Sequence, residues 1–275
     1  MLKKLLRYDF KSVLRYWWIA AVSTVGLALV GGWSISVFEN QKQLPEMLYV
    51  VATLAAIVAV LGGVAFAIMT VILLFSRFYK NFFTDEGYLT FTLPVKRTSL
   101  LNSKLIVSVT TVLMTGFVII VDILIALCIA YYEDIFAKEF WIELGKAIAE
   151  YFETLGVYGV IAILEYIISS ILTVVISVLF ATCCITIASI IAKKAKVITA
   201  IAIYYVANST VVFGLTMYNL FAVGTLYDWL SSVPRYYENS TAALMSLCTI
   251  LFKGIFCATL YAFQYWMLDK KLNLS

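Results

Sequence analysis

Long stretches of apolar residues, interrupted by short polar segments, dominate the chain from residue 17 to residue 268. Six of these runs are long enough to cross a hydrocarbon layer about 30 Å thick, which takes roughly 20 helical residues. They cover Trp17 to Phe38, Met47 to Phe75, Leu105 to Ala130, Leu155 to Ala192, Val197 to Phe221 and Thr241 to Leu268. The fold class this predicts is an all-α integral membrane protein, a single transmembrane domain over residues 1–275. The fourth run is longer than one crossing needs, so its first residues are expected to form an interfacial or re-entrant piece.

Ahead of the first run, Leu2, Leu5, Leu6, Phe10, Val13 and Leu14 recur at helical spacing. Lys3, Lys4, Arg7, Lys11 and Arg15 fall between them. A basic amphipathic helix over residues 1–16 is expected, lying on an anionic membrane surface with its apolar stripe submerged. Asp9 and Lys11 stand where a signal peptide would need an apolar core, which argues against that reading.

A second amphipathic segment, EDIFAKEFWIELGKAIAEYFE over residues 133–153, carries Phe136, Phe140, Ile142 and Ile148 among charges. Its expected place is the outer surface. Fifteen of the twenty Lys and Arg side chains fall on the side of the termini and of the segment after the second run, against four on the other side. By the bias of positive charge toward the cytoplasm, both termini and that segment are expected to be cytoplasmic. The outer side carries ten carboxylates, six of them within residues 133–153.

Composition narrows the chemistry. The chain is 63% hydrophobic, only 13% charged and has a mean hydropathy of +0.98, whereas an ordinary soluble domain is about 25% charged. Histidine is absent, which removes the common imidazole-dependent hydrolases and membrane zinc proteases. The cysteines Cys128, Cys183, Cys184, Cys248 and Cys257 all sit in apolar runs, where Cys behaves as a small hydrophobe, and no metal or disulfide spacing is present. The only Gly-Lys pair, Gly145-Lys146, lacks the rest of a phosphate-binding loop. The chain is therefore expected not to be an enzyme, to bind no metal and to hold no cofactor of its own. Pro45, Pro94 and Pro234 fall between runs, as chain breakers should. Asn239-Ser240-Thr241 fits the glycosylation pattern, a short motif frequent by chance.

Three ionisable residues interrupt the apolar runs: Asp122, Glu165 and Lys253. At 1.5 Å per residue, Asp122 lies roughly 26 Å up the third run and Lys253 roughly 22 Å up the sixth. An Asp122 to Lys253 pair is the expected arrangement, since a charge in the membrane needs a partner or a wet cavity. Glu165 is expected near the outer interface. Such charges either line a substrate or ion path or fix helix packing, and buried pairs are often architectural. Asn208, beside Tyr204 and Tyr205, is expected to hydrogen-bond a neighbouring helix.

The polar segment TDEGYLTFTLPVKRTS, residues 84–99, separates the second and third runs. Thr84 can cap a short helix with Asp85 and Glu86 in its first turn, followed by Tyr88, Leu89, Phe91 and Leu93 before Pro94 ends it. Aromatic and aliphatic groups left unpaired at a membrane face commonly mark a docking surface.

The string SRFYKNFFTDEGYLTFTLPVKRTSLLNSKLI resembles the cytoplasmic loop of ABC exporter permeases of the type-2 class, especially small Firmicutes permeases. The matching residues are Glu86, Gly87, Tyr88, Leu89, Thr92, Leu93, Pro94, Thr98 or Ser99, Leu101, Ser103, Lys104 and Leu105. The opening LLRYDFKSVLRYWW resembles the interfacial helix of the same family. The resemblance is specific over about thirty residues. It implies a half-transporter with a coupling helix over residues 84–93, in which Asp85, Glu86, Gly87, Tyr88, Leu89 and Phe91 contact the ATPase. It also implies a second permease chain, as homodimer or heterodimer, and cytoplasmic ATPase subunits that bind ATP and Mg. Membrane lipids complete the expected partners; nucleic acid is not among them. The expected function is outward movement of an amphipathic or hydrophobic cargo, such as a peptide, lipid or drug, across a bacterial cytoplasmic membrane. The alternatives are a standalone ion-coupled transporter or channel using Asp122, Glu165 and Lys253, and a polytopic sensor or scaffold.

Overall fold

A computed structural model of the chain describes residues 2–39, 45–84, 97–192, 197–211, 213, 217 and 238–270. These residues are helical nearly throughout, and no strand occurs among them. The helices are α1 (Leu2–Glu39), α2 (Glu46–Phe83), α3 (Arg97–Ala130), α4 (Tyr132–Phe136), α5 (Lys138–Leu155), α6 (Val157–Ile191), α7 (Val197–Val211) and α8 (Glu238–Lys270). Five segments among the described residues are long and apolar enough to cross a membrane: Lys3–Glu39, Glu46–Phe83, Thr98–Ala130, Val157–Ile191 and Ser246–Asp269. In the expected fifth span only α7 is described as a continuous helix, and it is shorter than a crossing; residues 212, 214–216 and 218–221 lie outside the described set.

The chain divides into two compact units, one of residues Met1–Phe78 and Ser99–Ile148, the other of Tyr79–Thr98 and Ala149–Ser275. In the first, α1 runs antiparallel to α2 and parallel to α3. Val13 packs with Leu74 and Val107, and further along Trp17 and Ala21 pack with Phe66. Beyond these, the α1 glycines meet both neighbours: a Cβ on Gly31 would lie 3.1 Å from Ala59, and one on Gly32 would lie 2.7 Å from the Ala126 carbonyl. Small residues at these points let the helix backbones approach closely, the main source of association once apolar helices are already in lipid.

The separate surface helix expected over residues 1–16 is instead the first four turns of α1, continuous with the first span. Leu6, Phe10 and Val13 turn toward Leu73, Leu74, Val107 and Val112. An apolar stripe at i, i+4 and i+7 suits a helix neighbour as well as a lipid surface, and the stripe continues without interruption through Trp17 and Ala21.

Hydroxyl groups within the apolar helices donate largely to their own backbones. Thr70 bonds the Phe66 carbonyl at 3.0 Å, and Thr111 the Val107 carbonyl at 2.7 Å. A hydroxyl in hydrocarbon is thereby satisfied without a partner helix.

At the far end of this unit, the Tyr131 phenol donates to Glu39 at 3.1 Å, tying the α3–α4 junction to the end of α1. This hydrogen bond and the carboxylate's charge raise the Tyr131 pKa above its ordinary value of 10.0. The bond needs the protonated phenol, so the tie is present below the ordinary value and is lost as pH rises through the raised one. Tyr132, beside Glu133, is raised in the same way. In an alkaline titration followed by phenolate absorbance, Tyr131→Phe should remove one late-ionising tyrosine and leave the other.

The single outer helix expected over residues 133–153 is broken at Ala137, whose extended backbone separates α4 from α5. Neither helix buries a residue. On α5, Phe140, Trp141, Leu144, Ile148, Tyr151 and Phe152 form one stripe, while Glu139, Glu143, Lys146, Glu150 and Glu153 form the other. α5 ends in a tight turn at Gly156, whose φ of 53° is the left-handed conformation glycine adopts most readily. From there α6 runs 35 residues without interruption, so the re-entrant start expected for the fourth span is absent.

In the second unit α6 and α8 run parallel, because their contacts advance together: Glu165 meets Ser246, Ser169 meets Lys253, and Thr182 meets Gln264. α7 turns back along α6, with the Phe180 and Tyr204 rings 5.8 Å apart.

Candidate functional site

Two polar constellations stand out from the apolar background, one in each unit. The first joins the start of α1 to the start of α3. Asp9 is 5% exposed. Its carboxylate takes the Lys104 ammonium at 2.5 Å and the Ser103 hydroxyl at 3.2 Å. Ser103 is fully buried, and Leu100 and Leu101 beside it are nearly so. Ser103 and Lys104 close the string that resembles the permease loop, and Asp9 belongs to the opening string. In the sequence alone Asp9 reads only as a break in an apolar stretch. The available signal was an acid within a basic segment at an otherwise apolar helix start.

Two to three turns further along the same bundle, the Trp17 indole donates to Thr115 at 2.8 Å. The Thr115 hydroxyl lies 2.9 Å from the Thr111 carbonyl and 3.3 Å from Thr70. This buried node links α1, α2 and α3 and was not anticipated. Its sequence trace is the i, i+4 spacing of Thr111 and Thr115.

Asp85, Glu86, Gly87, Tyr88, Leu89 and Phe91, expected to form the coupling helix, lie outside the described residues. Thr84 is described, and its hydroxyl donates to the Lys80 carbonyl at 2.6 Å, closing the end of α2.

The second constellation lies between α6 and α8. Glu165, Ser169 and Thr173 are spaced i, i+4, i+8 and so share one face of α6. Glu165 Oε2 accepts from Ser246. The Lys253 ammonium donates to Ser169 at 2.6 Å and Thr173 at 3.0 Å. Toward the other end, Thr182 lies 3.2 Å from the wholly buried Gln264, and the Cys183 thiol is 3.7 Å from the Leu260 carbonyl.

Within its own unit Lys253 takes two neutral hydroxyls from the adjoining α6. Two oxygens of comparable reach, one turn apart, can hold an ammonium without a carboxylate. Asp122, on α3, has one carboxyl oxygen buried without a hydrogen-bond partner among the described residues. Glu165 is 7% exposed, packed among the helices of its unit. Asn208, Tyr204 and Tyr205 are exposed on α7. No grouping of metal-ligating side chains occurs among the described residues.

Compared with models of known protein families, with curated proteins and with solved structures, the chain matches none of them.

Proposed function

We propose that this chain is the membrane-spanning subunit of an ATP-driven ABC exporter. It works beside a second permease chain and carries an amphipathic or hydrophobic cargo outward across a bacterial cytoplasmic membrane by alternating access. Both termini and the segment between α2 and α3 face the cytoplasm. There Asp85, Glu86, Gly87, Tyr88, Leu89 and Phe91 dock on the ATPase subunits, which bind ATP and Mg.

The observation that carries this reading is the Asp9, Ser103 and Lys104 clasp. A segment that passes ATPase movement to the membrane helices must leave from a point fixed to the bundle. The clasp supports this by joining the start of α3, just after the docking string, to α1. The parallel run of α6 and α8 supports a sixth crossing, because the intervening chain must return from the end of α6 to the start of α8. α7 begins that return.

The test is co-purification of the tagged chain with an ABC-type ATPase subunit co-expressed beside it. Glu86→Arg combined with Leu89→Asp should lower ATPase retention about tenfold or more while leaving helix content unchanged, since a few anchors dominate such interfaces. Equal retention by the native and double-variant chains overturns the reading.

A standalone ion-coupled transporter is the second reading, favoured by the buried Glu165 Oε1, which has no hydrogen-bond partner among the described residues. It requires flux that follows an ion gradient with no ATPase present.

A further inference from the structure

Charge is left half-satisfied along one seam of the second unit. Glu165, on α6, spends one carboxylate oxygen on Ser246; the other is buried and has no hydrogen-bond partner among the described residues. Lys253, on α8, has three ammonium N–H groups and two hydroxyl partners among those residues, Ser169 and Thr173. The two partners lie one and two turns along α6 from Glu165, roughly 6 and 12 Å by helix rise. A carboxylate and an ammonium thus face the same helix–helix seam, offset along it, each held by hydroxyls. An orphan acceptor at one end and an unfilled donor at the other describe a ligand that carries both charges.

We propose that this seam binds the headgroup of a zwitterionic phospholipid, its ammonium on Glu165 and its phosphate on Lys253. Charge balance selects this class. Glu165 and Lys253 sum to zero, and so does an ammonium–phosphate headgroup, so the complex brings no net charge into a low-dielectric layer. An anionic lipid would leave Glu165 uncompensated, and a cationic amphiphile would leave Lys253 so. The seam opens outward at Thr173, which is exposed. This goes beyond the exporter reading and does not depend on an ATPase.

The experiment is lipid retention measured by native mass spectrometry on the full chain in detergent. The probes are phosphatidylethanolamine and phosphatidylglycerol of equal chain length. The native chain should retain phosphatidylethanolamine about tenfold better, the scale of one charge-assisted hydrogen bond. Glu165→Gln, which still accepts from Ser246, should bring the two lipids to the same level, and Lys253→Met should weaken both. Equal retention of the two lipids by the native chain, which needs no variant, overturns the proposal. So does a preference that survives Glu165→Gln. Displacement of the bound lipid by soluble phosphoethanolamine at equal concentration overturns the assignment to a lipid.

Discussion

Lys104→Met is expected to destabilise the first helical unit by about 3–5 kcal/mol, the usual consequence of removing one partner from a buried ion pair. The side chains of Lys104 and Asp9 are only 15% and 7% exposed, so solvent can do little to rehydrate the charge left behind. Asp9 would keep the Ser103 hydroxyl alone, at 3.2 Å. Asp9→Asn added to Lys104→Met should recover most of the loss, because neutral groups of similar shape remove the uncompensated charge. The readout is the denaturation midpoint in mild detergent. A Lys104→Met midpoint equal to that of the native chain would mean that the clasp does not hold α1 to α3. Under the exporter reading, the recovered double variant also separates stability from coupling: it should bind the ATPase and transport poorly, since the base of the docking segment has lost its tether.

Gly32→Ala is the second large effect. The added Cβ would stand 2.7 Å from the Ala126 carbonyl oxygen, 2.8 Å from the Ile129 Cβ and 3.0 Å from the Ala126 Cα. These atoms belong to the α3 backbone or sit directly on it, so no rotamer change relieves the contact and α1 must move away from α3. Overpacking of this kind costs about 1–3 kcal/mol and sometimes more; with rigid backbone opposite, the upper part of that range is expected. Gly26→Ala is the internal control. Nothing lies within 4 Å of its Cβ position, so it should be neutral or stabilising by about 0.5–1 kcal/mol through helix propensity. Gly62→Ala should fall between the two, because the atom it meets is the terminal Leu27 Cδ1, which can swing aside. Equal midpoints for Gly32→Ala and Gly26→Ala would show that α1 and α3 do not pack as closely as described.

Much of the helical architecture was legible in the sequence because hydrocarbon imposes a simple demand. Each crossing must satisfy its backbone internally over about 20 residues, so the apolar runs announce α1, α2, α3, α6 and α8 directly. Their ends were less legible. Polar residues such as Lys80, and the first four turns of α1, extend the helices beyond the apolar runs. The break at Ala137 was also hidden, since the residues on both sides of it carry the same amphipathic pattern.

Of the candidate sites, Glu165 and Lys253 were legible as charges, but their hydroxyl partners Ser246, Ser169 and Thr173 were not. Residue counting placed Lys253 and Asp122 at similar heights, and height was all it supplied. The partner depends on which helix stands beside α8, and a serpentine order of apolar helices carries no record of that. Asp9 shows the same limit from the opposite side: an acid in a basic segment reads as an interruption, and its partners Lys104 and Ser103 lie some 95 positions later.

The sequence by itself determined that this is a helical chain with several membrane-length segments, that it carries no imidazole chemistry, and which of its side chains place charge in an apolar layer. These follow from composition and from periodicity along a single helix, both local properties. Tertiary structure decided that Asp9 belongs to Lys104, that Lys253 belongs to Ser169 and Thr173, and that Gly32 faces the α3 backbone at Ala126. Each of these is a choice of neighbour. In a medium as apolar as the helices themselves, that choice rests on close packing and a few polar contacts between distant residues.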